Sequence, residues 1–412
     1  MTSRDPTAWD VVVVGAGPAG AATAIGALRA DPALRVALLD RADFPRDTSC
    51  GDGVAPHVID LLEAVGVTGV VDDRVPVHRL RISRDGAGVE RRMRRPAWVV
   101  PRAILDHRLV EAAQQAGAQL VKHRARDIQG ASVDGAHSAG VLVGADGAHS
   151  IVRRSLGHRP GPMAVALRGY APTPPDRRGA QVIVFGKGTQ PAYAWSFDRG
   201  DGLANVGYGE MLTDRLPRPT RTHLLEQLAT LLPGATDDAT SWVGHQLPLS
   251  TARTPTQRGR VLLAGDAAGL VNPMTGEGIY YAVATGLAAG RAAAEALRAG
   301  APDTAGSRYA RTTRSLISVN LKHTAAGAWL CRYDRLLDAG ISAAAADGRV
   351  FDDLVELGLA NGRITPTMAR AMARELIRAI PYRQSAPSRR ATSSAPGSRA
   401  IDNPPDTDPQ HT

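Results

Sequence analysis

Cysteine is nearly absent: the 412 residues contain two, Cys50 and Cys331, with no CxxC and no paired Cys/His spacing. A disulfide framework and a structural zinc site are therefore not expected, and the usage fits a reducing cytoplasm. The eleven histidines show no paired spacing on a helix face, so no metal is assigned. No GxSxG or Ser/His/Asp constellation occurs, which removes hydrolysis. No run of mixed aromatic and basic residues resembles an RNA-recognition or helix-turn-helix signature, so nucleic acid is not an expected partner. No apolar stretch is long enough to span a bilayer. The nearest candidate, IYYAVATGLAAGRAAAEALRAG (279–300), carries Arg291 and Glu295 and reads as a buried, Ala-rich helix. The N-terminal MTSRDPTAWD lacks the apolar core of a signal peptide. The expected location is the cytoplasm, with any membrane contact peripheral.

With 43% hydrophobic and 22% charged residues, the chain has the composition of a globular protein and the length for two or three domains sharing a large core. The formal net charge of +9 comes from arginine far more than lysine and favours anionic partners such as pyrophosphates or an acidic lipid surface. DVVVVGAGPAGAATAIGAL (10–28) reads as strand, tight turn and helix. Gly15 permits the turn, Gly17 lets the backbone approach a pyrophosphate, and Gly20 allows close helix packing, while free N–H groups at the helix start attract the anion. The next apolar run, VALLD, ends in Asp40 at the spacing of a carboxylate that bonds a ribose hydroxyl. The alternative is a tight turn with no ligand.

Two later segments repeat the strand-to-turn pattern. VLVGADGAHSIVRR (141–154) ends a strand in a Gly-Ala-Asp-Gly turn, in which Asp146 is either a site residue or only a turn residue or cap. RVLLAGDAAGLVNPMTGEGIYYAVATGLAAGRAA (260–293) reads as strand, GD turn, a loop bearing proline and glycine, then a long helix. Asp266 is placed to accept from a polyol chain. The helix start at Gly276 to Ile279 would aim its dipole at a ring oxygen that becomes anionic on reduction.

In this order the three segments resemble the GxGxxG, DG and GD motifs of the flavoprotein hydroxylase superfamily, within which the chain is most similar to the geranylgeranyl reductase family. The stretches that carry the resemblance are FPRDTSCGDGV, the arginine and aspartate of VVPRAILDHRL, the hairpin YAWSFDRGDGLANVGYGE, and GDAAGLVNPMTGEGIYYA; together they span roughly residues 9 to 300. Two positions depart from the family pattern: Thr48 stands where lysine usually follows Asp47, and Asp198 replaces the proline of YxWxFP.

The resemblance implies FAD as cofactor, with contacts at Gly15, Gly17, Ala19, Gly20, Asp40, Arg41, Gly51, Arg102, Asp146, Gly265, Asp266, Pro273, Gly276, Gly278 and Ile279. No second nicotinamide-type motif is visible, so NADPH or another electron donor would bind transiently. For Arg102 the alternatives are the FAD phosphate or ribityl chain and a helix-start arginine facing solvent. Cys50, Tyr193 and Trp195 are the implied catalytic residues. Cys50 would face the substrate as a weak proton donor or polar wall, with a structural thiol as the alternative. Tyr193, Trp195 and Phe197 alternate along one strand and so share a face, which is either a wall of the substrate site or sheet core. Cys331 reads as a small buried hydrophobe.

The expected fold class is α/β: a Rossmann-like FAD-binding domain from 1–76, 98–155 and 258–300, an inserted antiparallel β-sheet substrate domain from 77–97 and 156–257, and a C-terminal helical region over 301–383. The helical region is either a lid over an apolar tunnel or a packed bundle. Residues 384–412, rich in Pro, Ser and charge, read as a disordered tail. No internal repeat occurs, and nothing specifies an oligomeric state. The leading functional reading is an oxidoreductase that saturates a prenyl double bond of an isoprenoid or prenylated, lipophilic substrate by hydride transfer from reduced FAD. The runner-up is a monooxygenase of secondary metabolism that epoxidises or hydroxylates through a flavin hydroperoxide. A halogenase is disfavoured because the WxWxIP hairpin is missing, and a non-catalytic flavin-binding protein because the thiol and cofactor motifs are present.

Overall fold

The computed structural model describes residues 8–253, 257 and 259–379; the expected tail lies outside them. In chain order the elements are β1 (Ala8–Val14), α1 (Pro18–Ala30), β2 (Val36–Asp40), β3 (Gly53–Val54), α2 (Pro56–Glu63), β4 (Val77–Arg84), β5 (Ala87–Val99) and α3 (Arg102–Gln115). There follow β6 (Gln119–Lys122), β7 (Ile128–Gln129), β8 (Ser132–Val133), β9 (His137–Gly144), α4 (Ile151–Ser155), β10 (Met163–Pro172), β11 (Ala180–Phe185), β12 (Tyr193–Asp198) and β13 (Leu203–Met211). The chain continues through α5 (Arg221–Leu231), β14 (Thr240–Pro248), β15 (Val261–Leu263), α6 (Ile279–Arg298), α7 (Ala305–Leu330), α8 (Asp334–Ala346), α9 (Gly348–Leu359) and α10 (Pro366–Arg378).

The first sheet has the order β6-β2-β1-β9-β8-β7, with β15 on β9. Its pairs are parallel from β6 to β15, and the β7–β8–β9 pairs are antiparallel. Val11 to Val14 are all buried, as a parallel strand covered on both faces requires. On one face α1 and α6 cross so closely that a Cβ on Gly290 would lie 2.0 Å from Thr23 O. The Ala-rich stretch read from the sequence as a buried helix is α6, and its small side chains are what allow this approach.

The second sheet has the order β14-β10-β13-β12-β11-β4-β5-β3. The β4–β5 hairpin turns through Asp85 and Gly86, both at positive φ, which is the two-residue turn that suits a twisted pair. All but one of its strand pairs are antiparallel; β11 lies parallel to β4, with Ile183 opposite Ile82. No hairpin joins those two strands, because the chain returns through α3 and the first sheet between them. The sheet also extends beyond its expected segments: β5 runs to Val99, and β3 pairs with it through Gly53 and Val54.

One face of this sheet packs Ala194, Val206 and Tyr208 against Leu224 and Leu228 of α5. The other carries Leu80 and Ile82 toward Leu337, Ile341, Val350 and Met368 of the C-terminal helices. Among the described residues no helix is long and apolar enough to cross a membrane.

Candidate functional site

The nucleotide end of the site starts at the β1–α1 turn. Gly15 has φ +98°, and a Cβ there would lie 2.4 Å from Ala145 O, so only glycine lets the first turn touch the DG turn. At Gly20 a Cβ would meet Gly15 O at 1.8 Å, so this glycine packs the helix against its own turn as well as near Leu38. No side chain caps α1, which leaves its first N–H groups free for an anion. Above Gly17, where a Cβ would stand 3.5 Å from Arg46 Nη2 and 3.8 Å from Arg102 Nη2, two guanidinium groups face the same backbone.

Those arginines share one buried carboxylate. Arg102 meets Asp106 through Nε–Oδ1 at 2.6 Å and Nη2–Oδ2 at 2.9 Å, and Arg46 reaches Asp106 Oδ2 at 3.1 Å. Burial works against the Arg102 charge, and Asp106 together with Cys50 outweighs it, so the group stays cationic. At the end of β2, Asp40 accepts from Ala16 N at 2.8 Å and Ala42 N at 2.9 Å. Its remaining lone pairs are available to a ribose hydroxyl. Ala19 is buried in the first turn of α1, and Arg41 is exposed at the rim.

Asp146 and Asp266 lie where the two later segments converge. Asp146 Oδ2 accepts from Ile151 N at 2.7 Å at the start of α4, which Ser150 caps, while the buried Oδ1 of Asp146 has no partner in the protein. Burial raises its pKa. Asp266 is pushed by burial up to about 6, with Arg102 and Arg153 pulling it back. Gly265 and Gly276 are at positive φ, and Gly278 packs beside Asp266, with 3.5 Å between its would-be Cβ and Oδ1. Pro273 and Ile279 border the same space.

The start of α6 differs from the simple dipole reading. Glu277, which the sequence did not single out, accepts from Tyr280 N at 2.8 Å and so caps the helix itself. Burial pushes this carboxyl up to about 7, against hydrogen bonds from the Tyr280 and Ile279 amides. The available signal was an acidic residue just before the helix, where a negative side chain suits the helix start.

Most of these residues line a single cavity of about 1000 Å³, whereas Gly20, Gly265 and Asp106 lie behind its wall. Beyond the nucleotide end, Cys50 faces it, and burial, opposed by Arg102 and aided by Asp52, lifts its thiol to about 11, so it carries its proton at neutral pH. Gly51 lies against the aromatic wall: a Cβ there would be 3.4 Å from Phe197 Cε2 and 3.7 Å from Trp195 Nε1, in ordinary contact with both rings. Tyr193, Trp195 and Phe197 do share the cavity face, with adjacent ring centroids 6.1 and 6.4 Å apart. The Tyr193 hydroxyl donates to Thr275 O. His245 of β14 also faces the cavity, with its pKa lowered by burial and then by Arg102 and His149.

Of the two departures from the family pattern, only Thr48 lines the cavity. Asp198 points away from it and accepts from Gly179 N, Thr173 Oγ1 and Gly200 N. Replacing the family's proline there therefore changes a loop anchor and leaves the aromatic wall alone.

The cradle fits an extended dinucleotide such as FAD on three independent grounds: uncapped N–H groups and paired guanidiniums for the pyrophosphate, Asp40 for a ribose, and the orphaned, buried Asp146 Oδ1 on the same cavity as Asp266. Comparison with known proteins agrees. A family model described as FAD binding domain matches residues 8–322. The menaquinone reductase of Mycolicibacterium smegmatis is 35% identical over 326 residues, covering 71% of this chain and 77% of that protein. The geranylgeranyl diphosphate reductase of Rhodobacter capsulatus is 32% identical over 316 residues, covering 71% and 77%. A solved geranylgeranyl bacteriochlorophyll reductase-like structure from Thermoplasma acidophilum superposes with a TM-score of 0.74 at 20% identity, covering 90% of this chain and 98% of that one.

Proposed function

This chain belongs to the geranylgeranyl reductase family of FAD-dependent oxidoreductases, and from that premise we propose that it reduces a carbon–carbon double bond in the isoprenoid chain of a lipophilic substrate. Relatives are named for menaquinone and for geranylgeranyl diphosphate, both of which carry such a chain. The observation that carries the reading is the continuity of the cavity. From the FAD cradle it passes Cys50 and the aromatic wall and runs on between Leu80, Ile82 and Phe185 of the sheet and Leu337, Ile341 and Met368 of the helices. A largely apolar passage of this kind binds an extended hydrocarbon by taking it out of water. The helical region is thus both a packed layer and one wall of the substrate channel.

Bound FAD supplies the hydride equivalent. The protein's part is to orient the alkene, exclude water and hold a proton. Trp195 and Tyr193, with ring planes inclined at 60°, give the chain an aromatic surface to pack against. The Cys50 thiol and the Glu277 carboxyl are proton-bearing groups beside that surface. The net charge of +9 suits an acidic lipid surface as the source of such a substrate.

The test is to reduce the enzyme anaerobically, with NADPH or a chemical reductant, add menaquinone or geranylgeranyl diphosphate, and weigh the product. A gain of two hydrogens per reduced double bond without oxygen is expected, and with menaquinone that gain should survive reoxidation of the quinone ring in air. Product that gains an oxygen atom, and forms only in air, would overturn the reading in favour of oxygenation.

A further inference from the structure

The loop that carries Cys50 leaves the first sheet after β2 and is tied at Asp43 to Lys122 and at Arg46 to Asp106, yet from Asp47 to Asp52 side chains of the second sheet anchor it. Arg168 Nη2 donates to both Asp47 oxygens at 2.6 Å and to Thr48 O at 3.0 Å. Ser49 Oγ donates to Val243 O at 3.0 Å. The Tyr170 hydroxyl donates to Asp52 Oδ2 at 2.7 Å. Asn205 Nδ2 donates to Cys50 O at 2.9 Å and to Asp52 Oδ2 at 2.8 Å, and Asn205 Oδ1 accepts from Trp195 Nε1 at 2.8 Å.

Register explains why these groups meet. Phe197 pairs with Asn205, Asn205 with Tyr170, and Gly207 with both Trp195 and Arg168, so all project from one face of the sheet. Asn205 and Asp52 are fully buried. Asp52 sits at φ +60°, a conformation that a non-glycine residue adopts only where its surroundings hold it. Its backbone N–H donates to the Cys50 sulfur.

We infer that Asn205 is a positioning residue that holds the Cys50 loop and the Trp195 ring in one fixed relation across the cavity. The inference rests on the proposed role of that part of the cavity, but the contacts that carry it are independent of any substrate. The chemistry demands this side chain. A carboxamide has donors for Cys50 O and Asp52 and an acceptor for the indole N–H, whereas aspartate donates to neither, and leucine leaves Cys50 O and the indole N–H unpaired and Asp52 with Tyr170 alone. Of the loop's anchors, Asn205 alone bonds both the Cys50 backbone and a ring of the aromatic wall.

The test reads thiol position directly and needs no turnover, so it stands whether or not a prenyl substrate is reduced. FAD-loaded wild type, Asn205→Ala and Asn205→Ser are alkylated with iodoacetamide, and the Cys50 and Cys331 peptides are followed separately by mass. Freeing the loop should expose Cys50 and favour its thiolate. Cys50 alkylation is therefore expected to accelerate about tenfold, the equivalent of one or two lost hydrogen bonds. Cys331, buried at the helical end of the same cavity, is expected to keep its rate. An unchanged Cys50 rate with flavin still bound overturns the inference. So does an equal acceleration of both thiols, which would mean general loosening, or loss of flavin from both variants, which would mean that Asn205 holds the fold rather than the thiol.

Discussion

Gly207 faces Trp195 across the β12–β13 ladder, and a Cβ on Gly207 would sit 2.3 Å from the indole Cζ2 and 2.4 Å from Leu167 O. The missing side chain is the space in which the Trp195 ring lies. The aromatic strand YAWSFD and the glycine-bearing strand LANVGYGEM are complementary for this reason.

Gly207→Ala should therefore push the indole toward the cavity. Overpacking of this kind costs about 1–3 kcal/mol. Denaturant unfolding should show that loss, and turnover should fall because the substrate surface has moved. Wild-type stability with an unmoved tryptophan emission would refute the packing argument.

Asp106 is fully buried and shared by Arg46 and Arg102. Asp106→Asn leaves two guanidiniums without their carboxylate. Breaking a buried ion pair by removing one partner costs about 3–5 kcal/mol. Unfolding of the FAD-loaded protein should register a drop of that order, whereas a loss below about 1 kcal/mol would show the arginines to be solvated instead.

Glu277 bears on pH dependence. Its carboxyl is raised from 4.5 to about 7 in the folded protein, so the native state keeps a proton that the unfolded chain releases. The stability this contributes is fully present below pH 4.5 and is lost as pH rises to about 7. Glu277→Gln removes that ionisation, so the stability of the variant relative to wild type should increase across the same window. Asp266, raised to about 6, keeps part of the slope in both proteins. Parallel stability–pH curves for the two proteins would show that Glu277 does not titrate in this range.

Gly340 on α8 borders the apolar end of the cavity, where a Cβ would lie 3.8 Å from Met372 Cε. Gly340→Phe should fill that end and leave the FAD cradle untouched. The expected result is unchanged flavin content, with KM raised for long prenyl chains and much less for short ones. An equal effect on both would place the chain elsewhere.

Much of this molecule was legible locally. The strand–turn–helix segments at Gly15, Asp146 and Asp266 announce themselves because glycine spacing and apolar runs act over a few residues, and the shared face of Tyr193, Trp195 and Phe197 follows from the two-residue period of a strand. The sequence by itself therefore determined the strand–turn–helix segments, the shared face of the three aromatics and the buried character of α6, while the choice between cavity wall and sheet core for that face stayed open. What only the tertiary structure decided were the partners across long separations: β11 beside β4, Asp106 beneath Arg46 and Arg102, and Arg168, Tyr170 and Asn205 gripping Asp47, Asp52 and Cys50. None of these has a local signature, because a buried carboxylate or carboxamide in the sequence looks like a surface one until register and packing remove its water. Once water is gone each such group must find a partner inside the protein, and that requirement joined the Cys50 loop to the sheet that faces it.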